Sequence, residues 1–363
     1  MFLFCFHPVM QGNVIRGRGA ISNRTGRFES EAREAFHDGW EAERETQPLR
    51  TTVSVDASRS ILTRNTSPDV PFDVSINPYR GCEHGCVYCF ARPSHAYLGL
   101  SPGLDFETRL LAKPEAPRLL REALGRRSYR PETIAIGTNT DPYQPVEQRL
   151  RIMRGVLEVL SEAQHPVAIV TKGRLVERDI DLLGPMGRGG LATVGISVTT
   201  LDPAIGRAME PRAAAPDHRL RAIERLAAAG VPVRVMVAPV VPGLTDHELE
   251  AILGAARDAG ATAASYIVLR LPREVAGLWQ EWLSERFPDR AARVMNRVRQ
   301  IHGGRDYDPE WGKRMRGEGP HAALLARRFA VATGRLRLER RTPPLRTDLF
   351  RAPGVENRQL SLF

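Results

Sequence analysis

Lysine is almost missing from this chain of 363 residues: only Lys113, Lys172 and Lys313 occur, so 49 of the 52 basic residues are arginines. Against 42 acidic residues they leave a net charge of +10 and an isoelectric point near 10.0. That excess admits two readings, a compositional bias toward arginine or an anionic partner such as nucleic acid. Cysteine is scarce as well. Four residues are too few for a disulfide scaffold in a chain of this length, which excludes the small secreted folds held by such bridges. No apolar run reaches the roughly 18 residues that would suggest a membrane span. The apolar start, MFLFCFHPVM, lacks a basic n-region and a small-residue cleavage site. A cytoplasmic protein with no membrane partner is expected, with Met10 as an alternative start that would leave Cys5 outside the fold. An apolar fraction of 42% and a charged fraction of 26% exclude a disordered chain.

The organisation reads as four stretches. Residues 1–70 show no sustained periodicity beyond a short acidic helical pattern from Glu29 to Glu45, and are expected as an extension wrapping the main domain. Residues 71–272 alternate short apolar runs with amphipathic stretches, the βαβα pattern of a parallel sheet. Six runs, at 72–77, 133–137, 166–171, 192–198, 232–239 and 264–271, predict a partial (β/α)6 barrel in an α/β fold. Pro145 predicts a helix through Val146, Leu150, Met153, Val156, Leu157 and Leu160. A second helix runs over 219–229 to a stop at Gly230, and Thr245 with Glu248 reads as a capping box opening a third, to Ala259. Residues 273–340 form a helical segment, with helices expected at 274–286, 290–300 and 322–333, and 341–363 a flexible Pro/Arg tail.

Three of the four cysteines fall within eight residues, as Cys82, Cys86 and Cys89 in NPYRGCEHGCVYCF, directly after the first strand. Chance would place three cysteines at one fixed spacing in roughly 5 chains in 10,000 of this composition. Three thiolates in a tight loop can hold three corners of a [4Fe–4S] cube whose fourth iron stays open to a substrate or cofactor. The alternative is a zinc site in which His84 completes a Cys3His set. A short loop could hardly bring His84 and its flanking cysteines to one tetrahedral centre.

The C-x3-C-x2-C spacing, with Tyr88 just before the last cysteine and a (β/α)6 pattern around it, resembles the radical S-adenosylmethionine (SAM) superfamily. GTNTDPYQPVE at Gly137 to Glu147, TKG at Thr171 to Gly173 and SVTT from Ser197 resemble its spore photoproduct lyase-like branch, often labelled DNA repair photolyase. The likeness covers about Asn77 to Leu271. The RGRGA start and the GGRDYD and RMRGEGP end resemble a bacterial subfamily without an assigned reaction. The resemblance implies a [4Fe–4S] cluster, SAM, reductive release of a 5′-deoxyadenosyl radical and an electron donor such as flavodoxin or ferredoxin. It also implies that Thr140, Asp141, Lys172 and Ser197, at the ends of strands, line SAM, with Tyr88 near the adenine. Lys172 stands out independently, because a rare lysine directly after an apolar strand suggests a compact point charge. The plainer readings are a helix cap for Thr140 or Asp141 and a surface charge for Lys172, while Glu147 reads as an exposed helix-face charge or, alternatively, as a partner of an arginine or a substrate contact. Where spore photoproduct lyases carry a cysteine that returns a hydrogen atom, this chain has Asn139, a departure from spore photoproduct cleavage in its usual form.

The chain ends in Gln359, Leu360, Ser361, Leu362 and Phe363, which resembles the pentapeptide that docks repair proteins on the DNA sliding clamp. The same residues could instead fold back over an open sheet edge. Three functions are thus in view: a radical SAM enzyme acting on nucleic acid as a DNA repair lyase would, one modifying a peptide or small metabolite, and a non-catalytic zinc-binding module.

Overall fold

A computed structural model describes residues 17–29 and 49–353. The start with Cys5, the acidic pattern beyond position 29 and the pentapeptide Gln359 to Phe363 lie outside the described residues. Among those residues no helix is long and apolar enough to cross a membrane.

Ten strands occur in chain order: β1 (Thr52–Val55), β2 (Leu62–Arg64), β3 (Val74–Ile76), β4 (Tyr79–Arg80), β5 (Arg109–Ala112), β6 (Ile134–Ile136), β7 (Val167–Thr171), β8 (Ala192–Ser197), β9 (Val233–Val240) and β10 (Ala263–Val268). Seven form one sheet in the order β10-β9-β8-β7-β6-β3-β2. From β3 to β10 the six neighbours are parallel, and β2 is an antiparallel edge on β3. These six parallel strands are the six expected apolar runs, and the partial (β/α)6 barrel is as predicted. The three-stranded sheet β1-β5-β4 was not expected. It grips the segment from which the cysteine loop emerges.

Parallel strands buried on both faces read as continuous apolar runs, yet β9 (VRVMVAPV) alternates. Val233, Val235 and Val237 are fully buried and belong to the main core. The intervening Arg234 and Met236 face the hollow of the sheet. Outside the sheet, helix Pro216–Ala228 buries Arg219, Ala222, Ile223 and Leu226, one stripe at helical spacing. Each fully buried aliphatic residue of this kind contributes about 1.5–3 kcal/mol.

Four sequence expectations need correction. The helix foreseen from Pro145 is two pieces, Glu147–Leu150 and Ile152–Glu162, because Arg151 adopts φ +52° between them. Glu147 is fully buried and not on an exposed face: it accepts from Tyr79 Oη, from Arg178 at 2.8 Å and from Met153 N at 3.1 Å, satisfying a free N–H of the second piece. The capping box does not form. Thr245 Oγ1 accepts from Val241 N at 3.0 Å, and Glu248 reaches across to Thr200 Oγ1 at 2.7 Å and Leu201 N at 2.5 Å. Beyond position 341 the chain is docked to at least Arg351: Arg346 N donates to Gly190 O, Arg351 N to Ala163 O, and Phe350 packs on Tyr129 and His165.

The C-terminal helices Glu274–Arg286 and Pro288–Ile301 build a second core, in which Trp279 and Trp282 pack against each other at 4.9 Å. Cys86, Val87 and Tyr88 belong to that same core, so these helices back the cysteine loop.

Candidate active site

The cysteine loop begins two residues after β4. Cys82 and Cys86 are buried and Cys89 is partly so, and all three are free thiols. Burial pushes each thiol up from its ordinary value, and the neighbouring thiols add to this at Cys82. They are therefore protonated unless a cation draws them into the thiolate form. Among the described residues no three Cys, His, Asp or Glu side chains close around a single ion. In a [4Fe–4S] cube each cysteine binds a different iron, so three thiols on one loop fit a cluster that keeps one iron open. His84, the candidate fourth zinc ligand, turns its Nδ1 toward Asp141 Oδ2 at 3.3 Å.

The loop holds its shape through a clamp that no sequence pattern revealed. Arg92, fully buried, donates to Cys86 O at 2.9 Å, Gly85 O at 3.2 Å, Pro102 O at 3.0 Å and Gly103 O at 2.9 Å, and pairs with Glu107. Glu107, equally buried, accepts from Gly19 N at 2.9 Å and Ala20 N at 2.8 Å. Arg18 completes the strap by donating to Glu107 O at 3.0 Å. The approach is close enough that a Cβ on Gly19 would lie 1.7 Å from Gly85 O, so only glycine fits there. Gln144 ties the other side of the loop, accepting from Glu83 N at 2.8 Å and donating to Gly81 O at 3.2 Å.

Lys172 directly follows β7, Ser197 ends β8, Thr140 and Asp141 lie in the loop after β6 and Tyr88 in the cysteine loop; their partners separate them into two sets. Thr140 and Asp141 cap no helix and instead hold the frame. Thr140 Oγ1 donates to Tyr79 O at 2.9 Å. Asp141 accepts from Thr171 Oγ1 at 2.6 Å, Lys172 N at 2.7 Å and Tyr143 N at 2.9 Å, locking the end of β6 to the end of β7. Burial alone would raise the Asp141 carboxyl; His84, Thr171 and the Lys172 N–H outweigh it and hold it at about 2.

Lys172, Tyr88 and Ser197 form the second set, around Glu210, a fully buried carboxylate that sequence reasoning missed. Tyr88 Oη and Arg219 donate to it, Thr199 Oγ1 donates at 3.0 Å and Lys172 Nζ lies 3.8 Å away. Burial would raise the Glu210 carboxyl, but Arg219, Lys172 and the Tyr88 hydroxyl hold it at about 2. Lys172 is no surface charge. Its ammonium lies 5.8 Å from the Tyr88 ring centre and donates to Ala238 O at 3.3 Å, which leaves donors free among the three it carries. Ser197 offers its carbonyl to Arg219 at 3.0 Å. Asn139 takes part through its backbone, donating to Asn77 Oδ1 at 3.1 Å.

A family model described as the radical SAM superfamily matches residues 76–256. An uncharacterized protein of Mycobacterium tuberculosis (strain ATCC 25618 / H37Rv) is 37% identical over 288 residues, covering 78% of this chain and 81% of that protein. One of Methanocaldococcus jannaschii is 24% identical over 173 residues, covering 48% of this chain and 62% of the relative. Among solved structures, spore photoproduct lyase complexed with dinucleoside spore photoproduct superposes with a TM-score of 0.57 at 14% identity, covering 78% of this chain and 79% of that one. A double mutant of the same lyase with bound AdoMet and dinucleoside spore photoproduct gives 0.55 at 16% identity, covering 78% of each chain. At these identities the structural likeness is one of fold.

Proposed function

Because this chain belongs to the radical SAM superfamily, whose members use a [4Fe–4S] cluster and S-adenosylmethionine, we propose that it is a radical enzyme acting on nucleic acid. Cys82, Cys86 and Cys89 would hold the cluster on the braced loop, leaving one iron for SAM. When bound, these groups supply a 5′-deoxyadenosyl radical able to abstract a substrate hydrogen. The chain's own part is positioning. Asp141 fixes the backbone of Lys172, and Glu210 holds the Tyr88 hydroxyl and keeps a carboxylate near the ammonium. Lys172 then has donors left for the methionine carboxylate, and Ser197, on the neighbouring strand end, offers a hydroxyl. Lys172→Ala is expected to weaken SAM binding by about 1.5–3 kcal/mol, the scale of a charge-assisted hydrogen bond, with iron content unchanged. Unaltered SAM affinity by calorimetry would return Lys172 to a purely structural role.

The observation that carries the substrate class is the rim beside the cluster loop. Phe28 and Tyr97 are 57% and 65% exposed, with ring centres 5.1 Å apart, and the Arg27 guanidinium lies over both. Arg273 Nη1 lies 3.4 Å from Tyr97 Oη, and three residues earlier Arg270 stacks 4.3 Å over Phe90, the neighbour of Cys89. Exposed rings interleaved with guanidinium groups form the kind of surface on which bases of a single strand stack. Solved lyases of this fold hold a dinucleoside photoproduct, which agrees with this reading. Single-stranded DNA should therefore bind with a steep salt dependence, and Tyr97→Ala should cost about 1–3 kcal/mol of that affinity. Fluorescence anisotropy with a labelled oligonucleotide decides it: salt-independent or absent binding would favour a peptide or small metabolite as substrate. The Gln359 to Phe363 pentapeptide would add a tether to the sliding clamp, and an electron donor such as flavodoxin or ferredoxin would reduce the cluster. A cytoplasmic setting suits all three partners.

A further inference from the structure

Beneath the candidate cofactor residues the hollow face of the sheet encloses a cavity of about 1330 Å³. Strand register aligns part of its wall, to which Val170, Gly195, Arg234, Met236 and Ser265 contribute. Val170, Gly195, Arg234 and Ala263 lie side by side in one row, and Ser197, Met236 and Ser265 form the next row toward the cofactor end. Two residues of strand separate the rows, about 7 Å. Most of these side chains are small, so the hollow stays open where a closed barrel would be filled.

One charge interrupts this wall. Arg234 projects from the second position of β9, and among the described residues no carboxylate lies within ion-pair distance of it. Its hydrogen bond is to Thr342 Oγ1 at 3.2 Å, and burial pushes its guanidinium below its ordinary value with nothing to offset it. A guanidinium withdrawn from water without an anion is costly. In the adjacent row Ser265 Oγ is buried with no hydrogen-bond partner. Arg316, also on the wall, meets the Tyr266 ring at 4.6 Å and no carboxylate among the described residues. Of the acidic side chains lining the cavity, Asp69 is taken by Arg314 at 2.5 Å, Glu318 faces Lys313 at 3.4 Å, and the exposed Glu339, bridged through its backbone to Ala263, lies within ion-pair distance of neither Arg234 nor Arg316. The lining thus offers four guanidinium groups without an ion pair among the described residues, the part-buried Arg234 and the exposed Arg316, Arg340 and Arg341, together with an idle hydroxyl.

We infer that this wall is an anion subsite in which Arg234, with Ser265 and Arg316, holds a phosphate of the substrate while the rest of the molecule extends toward Ser197 and Lys172. The planar guanidinium suits a phosphate, which accepts two parallel N–H bonds. As a statement about a nucleotide substrate, this rests on the function proposed above; as a statement about an anion, it stands alone.

The test is calorimetry on the full, anaerobically purified chain with three probes: thymidylyl-thymidine, its uncharged methylphosphonate counterpart and inorganic phosphate. The phosphodiester should bind at least tenfold more tightly than the methylphosphonate. Arg234→Gln should erase that preference, Arg234→Lys should keep part of it, and Ser265→Ala, a change too small to threaten folding, should reduce it severalfold. If inorganic phosphate binds through Arg234 but the dinucleotide does not, the anion subsite stands and the nucleic-acid reading falls. If the dinucleotide binds and no variant discriminates it from its uncharged counterpart, the subsite is wrong while the nucleic-acid reading survives. Binding of none of the probes would overturn the subsite.

Discussion

Alanine at Cys82, Cys86 or Cys89 is expected to abolish iron–sulfur uptake. After anaerobic reconstitution each variant should lack the visible absorbance that bleaches with dithionite and should form no 5′-deoxyadenosine, whereas Cys5→Ala should match the parent in both. The expectation rests on the chemistry of the donors. All three thiols are buried far enough to be raised in pKa, so only a strongly bound cation converts them to ligands. With three cysteines for four irons there is no spare donor, and removing one leaves a cube with two vacant corners. Full iron content in any of the three variants would overturn the assignment.

Glu107→Ala should be the most destabilising change outside the main core, by about 3–5 kcal/mol, because it strands a fully buried guanidinium. The loss should appear as a lower urea midpoint with an unchanged slope. It should also loosen the cysteine loop, since Arg92 without its carboxylate no longer has a fixed orientation against Gly85 O and Cys86 O. Replacing both partners by apolar residues of similar volume should recover part of the stability, because the cost lies in the unpaired charge. A Glu107→Ala protein with a parental midpoint would show that water reaches the pair.

Much of the fold is legible in the residues, for identifiable reasons. The six barrel strands are bounded by apolar runs whose outward side chains, such as Val233, Val235 and Val237, must be covered by helices. The cysteine spacing and the lone Lys172 are equally plain because each departs from what this composition provides by chance. What stays hidden depends on contacts distant in sequence. Arg92 is one arginine among 49, and Glu107 reveals its role only when Gly19, 88 residues away, is brought against it. Glu210 follows the short helix Pro203–Met209 and gains its partners from Tyr88, Thr199 and Arg219, on separate segments. For Glu147 the alternative of an arginine partner holds, with Arg178 at 2.8 Å, while its burial stays hidden because its helix, taken alone, gives no sign that Tyr79 and Arg178 close over it. The small sheet β1-β5-β4 escaped because strands of two to four residues are too short to show a period.

The strap at Arg18 to Ala20 sets a practical limit on how far this protein can be shortened. A fragment trimmed to the family-matched region 76–256 would keep Cys82, Cys86 and Cys89, yet leave Glu107 without two N–H donors and strip Trp279 and Trp282 from behind Cys86 to Tyr88. A piece that keeps the cysteine loop covered therefore has to include Arg18 and run through both helices Glu274–Arg286 and Pro288–Ile301, so the loop depends on both flanks of the barrel for its burial.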